Sequence, residues 1–138
     1  MASRKKHRLP KRSRRGAALV EFAVCAPVIA LLAFGTIDTC GMIYLKQSLT
    51  IAAYEGGRTS IARGTVEQDA INACQAILDQ RRVKDAKIVI TPEDFEAEPI
   101  GTYIEVAVTA PCDANAIFGS WFYAGRTTEG RSEFRKKY

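Results

Sequence analysis

The chain has 138 residues, room for one small domain plus one anchoring segment. Its formal charge of +5 is local. Arg4, Lys5, Lys6, Arg8, Lys11, Arg12, Arg14 and Arg15 precede the first acid, Glu21, and the remainder carries 12 basic and 15 acidic residues, a net of −3. The one histidine, His7, falls in that basic tail, which excludes histidine-dependent triads and zinc sites elsewhere, and no phosphate loop, dinucleotide glycine pattern or CxxC pair occurs.

A basic tail can neutralise nucleic-acid phosphates or hold the cytoplasmic end of a membrane segment. The adjoining sequence decides between the two. No aromatic residue is interleaved in the tail, and the next 21 residues, AALVEFAVCAPVIALLAFGTI from Ala17 to Ile37, carry Glu21 as their only charge. As a helix rising about 1.5 Å per residue, this run spans roughly 30 Å, the thickness of a bilayer core. The rest of the chain has no large apolar face in which to enclose such a helix. The pattern therefore predicts a basic cytoplasmic tail over 1–16, a transmembrane helix over 17–37 and no nucleic-acid partner.

An ordinary secretory signal fits poorly, because the apolar run exceeds the usual core of about 7 to 15 residues and no good A-x-A site closes it. Lipoprotein processing fits no better: Cys40 follows Asp38 and Thr39, and Cys25 comes too early in the run. What remains is a cut ahead of the run. Gly16, then four residues, then Glu21 and Phe22 before an apolar stretch resembles the processing site of type IV pilin-like precursors. Further elements narrow the resemblance: Pro27, Phe34-Gly35, Asp38, the stretch from Gln47 to Thr50, and Glu55-Gly56-Gly57-Arg58. Together they resemble the N-terminal region of TadE-like proteins, minor pseudopilins of tight-adherence (Tad, or Flp) pilus systems. Asp38 stands where glutamate is commoner in that family, Tyr54 and Gly57 replace the usual arginine and alanine, and Cys25 and Cys40 are not part of the pattern.

The resemblance implies that a prepilin peptidase cuts after Gly16 and leaves Ala17 as the new N-terminus, with Glu21 as the fifth mature residue. It also supplies a reason for the acid. A carboxylate costs about 2.5 to 3.5 kcal/mol at the centre of a membrane helix and less near an interface. A new amine at Ala17, with a reference pKa of about 8, attracts it by roughly 4 kcal/mol at about 4 Å and an effective dielectric of about 20. That amine can be its own, one turn away, or a neighbouring subunit's. The alternative is a carboxylate at headgroup depth, solvated by water.

Pro27 removes a helical hydrogen bond and predicts a bend, which membrane helices tolerate. Beyond Gly35, Ile37, Gly41, Leu45, Leu49, Ala52, Ala53 and Gly56 recur at helical spacing, so the helix is expected to continue as a stalk over 38–64, its small residues packing closely against another helix. Gly56-Gly57 weakens its end. A second, amphipathic helix is signalled by Thr65 as N-cap with Gln68 in the reciprocal position, a stripe of Val66, Ala70, Ile71, Cys74, Ile77 and Leu78, and the cations Arg81, Arg82 and Lys84 as a solvated cap at its end.

The period then changes to two. Strands are predicted at Lys87 to Thr91, Thr102 to Thr109 and Arg126 to Lys136. The acidic loop Glu93 to Glu98 lacks the regular spacing of a calcium site, so no metal is expected there. The aromatic patch of Phe118, Trp121, Phe122 and Tyr123 reads as core or interfacial filling, with a partner surface as the lesser alternative. Cys25 and Cys40 read as inert apolar residues. Cys74 and Cys112 fall where disulfides persist; a Cys74–Cys112 bridge and two separate buried thiols both fit the spacing.

The expected architecture is α+β: a long N-terminal membrane and stalk helix, a second amphipathic helix, and a small antiparallel sheet of about three strands in an exported head over 65–138. The expected function is a minor pseudopilin, required for assembly or secretion of a Tad/Flp pilus and not an enzyme, with no cofactor. It would lie in the inner membrane with its N-terminus cytoplasmic and its head exported. Its partners would be the prepilin peptidase, other pilins and pseudopilins, the inner-membrane assembly platform and membrane lipid. A different class of reading is an uncleaved signal-anchored envelope protein whose head binds a ligand or partner. A membrane-tethered enzyme is a third, against which the missing catalytic constellations speak.

Overall fold

The computed structural model describes residues 13–118 and 122–137. They form a 48-residue helix α1 (Ser13–Ser60), a helix α2 (Glu67–Gln80), strands β1 (Lys87–Thr91) and β2 (Tyr103–Pro111), a single turn α3 (Cys112–Asn115) and strand β3 (Thr127–Arg135). The architecture is α+β. By its packing the chain divides into two units, residues 1–35 and Thr36–Tyr138.

In the first unit α1 continues unbroken through Pro27. Among the described residues of this unit no side chain is buried, and Leu19, Val24, Leu31 and Leu32 are 68 to 71% exposed. Among the described residues α1 is also the one helix long and apolar enough to cross a membrane, with a mean hydropathy of 2.3 in its most apolar window. A helix apolar all round needs lipid or a large protein interior. It fits a single-pass membrane anchor.

The second unit is built on an antiparallel sheet in the order β1-β2-β3. Alternation along β2 places Ile104, Val106, Val108 and Ala110 on a fully covered face, because successive strand residues point to opposite faces. Register sets Ile90 and Ser132 on either side of Val106, and Ile88 and Gly130 on either side of Val108. Against this face pack Ala70, Cys74 and Leu78 of α2 and Leu45, Leu49, Ala52 and Ala53 of α1. On other sheet positions Arg131 bonds Glu129 at 2.6 Å and Glu105 at 3.1 Å.

Residues 38–60, expected as a stalk outside the head, are thus part of the compact unit. Their helical spacing does mark a packing surface, and its partners are the chain's own sheet and α2, whose Cys74 and Ala70 lie against Gly56. The strand predictions stand within two residues at each end. The start of α2 differs: the N-cap is Val66, whose N–H donates to Asp69 Oδ2 at 3.3 Å, while Gln68 donates to Asn72 Oδ1 at 3.1 Å. A second acid completes the cap, since Glu67 N–H donates to Glu96 Oε1 at 3.0 Å. That satisfies another of the donors left unpaired at a helix start.

Candidate functional site

The segment predicted to be processed lies within α1. Gly16, Ala17, Glu21 and Phe22 are all exposed, Phe22 by 67%, and a Cβ added at Gly16 would meet nothing within 4 Å. Among the described residues Gly16 therefore has no packing partner that a side chain would disturb. Ala17 contributes a peptide nitrogen to α1, so pairing of Glu21 with a free amine at that position would require a cut after Gly16.

Downstream, the elements quoted for the family resemblance have distinct packing roles. Asp38 is buried, 4% exposed, and its Oδ1 accepts the N–H groups of Ile117 at 3.2 Å and Phe118 at 2.9 Å. Ser48 is fully buried and donates to Tyr44 O at 2.7 Å. The Arg81 guanidinium lies 5.5 Å from the Tyr44 ring centroid, a cation–π distance. Arg81, expected as part of a purely solvated cap, is drawn onto α1.

The two glycines expected to weaken α1 face different elements. A Cβ at Gly56 would sit 2.2 Å from Cys74 Sγ, and one at Gly57 would sit 2.5 Å from Phe134 Cδ2. Gly130 of β3 meets the backbone of α1 itself, where a Cβ would lie 2.3 Å from Thr50 N and 2.4 Å from Leu49 C. Ser132 Oγ donates to Ala53 O at 2.6 Å, and Lys46 Nζ donates to Glu129 O. Backbone approaches this close require residues without side chains. They hold α1 across β3.

Cys74 and Cys112 are both free thiols, so of the two arrangements left open by the spacing the structure adopts separate buried cysteines. Cys74 is directed at Gly56, and burial pushes its pKa from 9.0 to about 11. Burial also raises that of Cys112, helped by Asp113 and opposed by Arg126. Cys25 and Cys40 are exposed. The acidic loop is organised by a cation from the chain itself: Lys136 Nζ donates to the carbonyls of Phe95, Glu96 and Glu98 at 2.9, 2.9 and 2.7 Å. Among the described residues no cluster of three or more His, Cys, Asp or Glu has metal-holding geometry.

Residues 16–58 match the model of the family described as TadE-like protein. Over Gly16 to Arg58 the chain is similar to that family. No curated protein and no solved structure matches the chain. The TadE-like segment begins at the glycine of the predicted cut and ends two residues before α1 does. It joins the apolar anchor to the helix that completes the compact unit. Sequence reasoning missed Gly130, Lys136 and Glu96, whose roles depend on distant partners. It singled out Asp38 only through the resemblance; the visible signal was an acid directly after an apolar run.

Of the aromatic patch, Trp121 lies outside the described residues. Phe118 and Phe122 are 58 and 61% exposed, and Tyr123 is half-buried. The expectation of core filling is not met at Phe118 and Phe122. Their segment is fastened to Asp38 through backbone groups at Ile117 and Phe118, which leaves the rings outside the core.

Proposed function

We propose that the chain is a minor pilin-like subunit of a Tad-type pilus, made as a precursor with a basic leader and cut after Gly16 by a prepilin peptidase. The observation that carries this reading is the coincidence of the TadE-like match, beginning at Gly16, with an apolar helical stretch that has no buried residue from there to Ile37. Cutting at Gly16 removes eight cations and creates one amine four residues from Glu21. The new charge offsets the cost of the carboxylate in lipid, either within one helix or between neighbours. The leader's cations hold the N-terminus in the cytoplasm, and the compact unit lies on the exported side of the inner membrane. There it contacts other pilins, pseudopilins and the assembly platform. The subunit's work is assembly, without catalysis or cofactor.

Mass spectrometry of the mature N-terminus tests this directly. A chain beginning at Ala17 is expected, with Gly16→Val blocking the cut and Glu21→Ala permitting it while impairing pilus assembly. An intact Met1 in cells with an active peptidase would instead favour a signal-anchored envelope protein. Normal pili from Glu21→Ala would show the charge pairing to be dispensable.

A further inference from the structure

Within the second unit, α1 turns Leu45, Leu49, Ala52 and Ala53 into the core. Two residues on from Leu45, Leu49 and Ala52 come Gln47, Ile51 and Tyr54, about 200° round the helix. On an amphipathic helix that side carries charge. Here Ile37, Cys40, Tyr44, Gln47, Ile51 and Tyr54 are all exposed and none is charged; Ile37, Tyr44, Ile51 and Tyr54 are open by 42, 50, 37 and 52%. The six follow one another at alternating steps of three and four, so Ile37, Tyr44 and Ile51 hold one position of a seven-residue repeat and Cys40, Gln47 and Tyr54 the other. That spacing is the seam of a coiled coil, and isoleucine at the first position suits a parallel two-helix pair. Arg58, next in the series and paired with Glu55 at 3.7 Å, ends the uncharged stretch.

The surface also has the relief that such a pairing needs. A shallow cavity of about 290 Å³ opens over Gln47, Thr50 and Ile51, with Lys46 and Arg81 at its sides. In a coiled coil, four residues of one helix frame the hole that receives a side chain from the other, and Gln47, Thr50, Ile51 and Tyr54 have the required spacing. Both cations at the rim are already engaged: Lys46 donates to Glu129 O, and Arg81 meets the Tyr44 ring and Ser48 Oγ. The two tyrosines are braced by their own unit, Tyr44 by Arg81 at 5.5 Å and Tyr54 by the Phe134 ring at 5.3 Å. What a partner meets is therefore a fixed, uncharged floor.

That floor matches itself. In a symmetric pair the same patch serves both partners, so Ile37 and Ile51 meet their own counterparts and no like charges oppose. The Gln47 amide both donates and accepts, and an identical amide opposite satisfies it; one polar residue in such a seam fixes register. We propose that the exposed face of α1 from Ile37 to Tyr54 docks a second copy of this chain in a parallel, in-register pair, with Ile51 of each copy seated in the cavity of the other. The parallel direction rests on the reading of 17–37 as a membrane span, which gives every copy the same orientation.

Cys40, exposed on the seam, makes the pairing testable in membranes holding the full chain. With Cys25→Ser removing the other exposed thiol, oxidation by copper phenanthroline is expected to give a covalent dimer through Cys40. In a Cys25→Ser, Cys40→Ser background, Gln47→Cys should cross-link as well, whereas Ala76→Cys, exposed on α2, should not. Ile51→Glu sets like charges against each other across the seam and should lower the Cys40 dimer yield by about tenfold, while Ile51→Leu should keep it. Monomers at both Cys40 and Gln47→Cys, or cross-links from Ala76→Cys as strong as those from the seam, would overturn the pairing. So would a link from Cys40 of one chain to Tyr54→Cys of another, the mark of an antiparallel or staggered contact, or capture of a different pilin-like chain at Cys40. The N-terminus read on the same samples separates this outcome from processing: chains beginning at Met1 that still dimerise would overturn the cut and leave the pair standing, and monomeric chains beginning at Ala17 would do the reverse.

Discussion

Gly130 shows how much one missing side chain decides. Its neighbours within 3 Å of an added Cβ are backbone atoms of Leu49 and Thr50, and a helix backbone cannot swing aside as a side-chain tip can. Gly130→Ala is expected to destabilise the compact unit by about 1 to 3 kcal/mol or more, as overpacking does, with a lower denaturation midpoint as the readout. Cys74 gives a pH-dependent prediction. Its thiol loses a proton near 9.0 when unfolded and near 11 when folded, so between those values the unfolded chain binds fewer protons and stability falls as pH rises. The contribution is fully present below pH 9 and lost by about pH 11. Denaturation of the wild type across that window should therefore show about 2 to 3 kcal/mol more loss than the Cys74→Ala variant.

At the scale of elements, long-range bonds settle what the loops do. The acidic segment 93–98 carries the composition of a cation site, and the chain supplies the cation itself from Lys136, near its C-terminal end. The same segment lends Glu96 to the first turn of α2 and buries Phe95, 1% exposed, in the core. Lys136→Met removes a charged donor from three carbonyls and should cost about 2 kcal/mol or more. Faster amide exchange at Glu67 would show the damage reaching α2. The helices and strands themselves were legible from period, since β2 alternates as its sequence does. The cap of α2 was less so: Gln68 lies three residues after Thr65 and Asp69 three after Val66, and Asp69 wins because a carboxylate is a stronger acceptor for a backbone N–H than an amide.

At the scale of the whole molecule, the boundary drawn from sequence and the boundary in the structure differ by almost thirty residues, 65 against 36. Leu45, Leu49, Ala52 and Ala53 are 0 to 3% exposed inside the core that α2 and the sheet form. A fragment from Thr36 onward should fold cooperatively, whereas one from Thr65 onward should lack a closed core and remain largely unfolded. Circular dichroism and thermal unfolding of the two fragments distinguish these outcomes. Equal stability of both would show that α1 is dispensable to the unit.

By itself the sequence determined the apolar helix, the basic run ahead of it, the likeness to TadE-like proteins and the α+β class. Each is written in local order: length, period, charge sequence, or the spacing from Gly16 to Glu21. Tertiary structure decided that α1 completes the head, that the two glycines and Gly130 are contact points, that Cys74 and Cys112 stay apart as thiols, and that Asp38 clasps the segment at Ile117. These depend on which residues meet across 18 to 81 positions of chain. Helical or strand spacing says which face a residue occupies, and only packing says what that face meets.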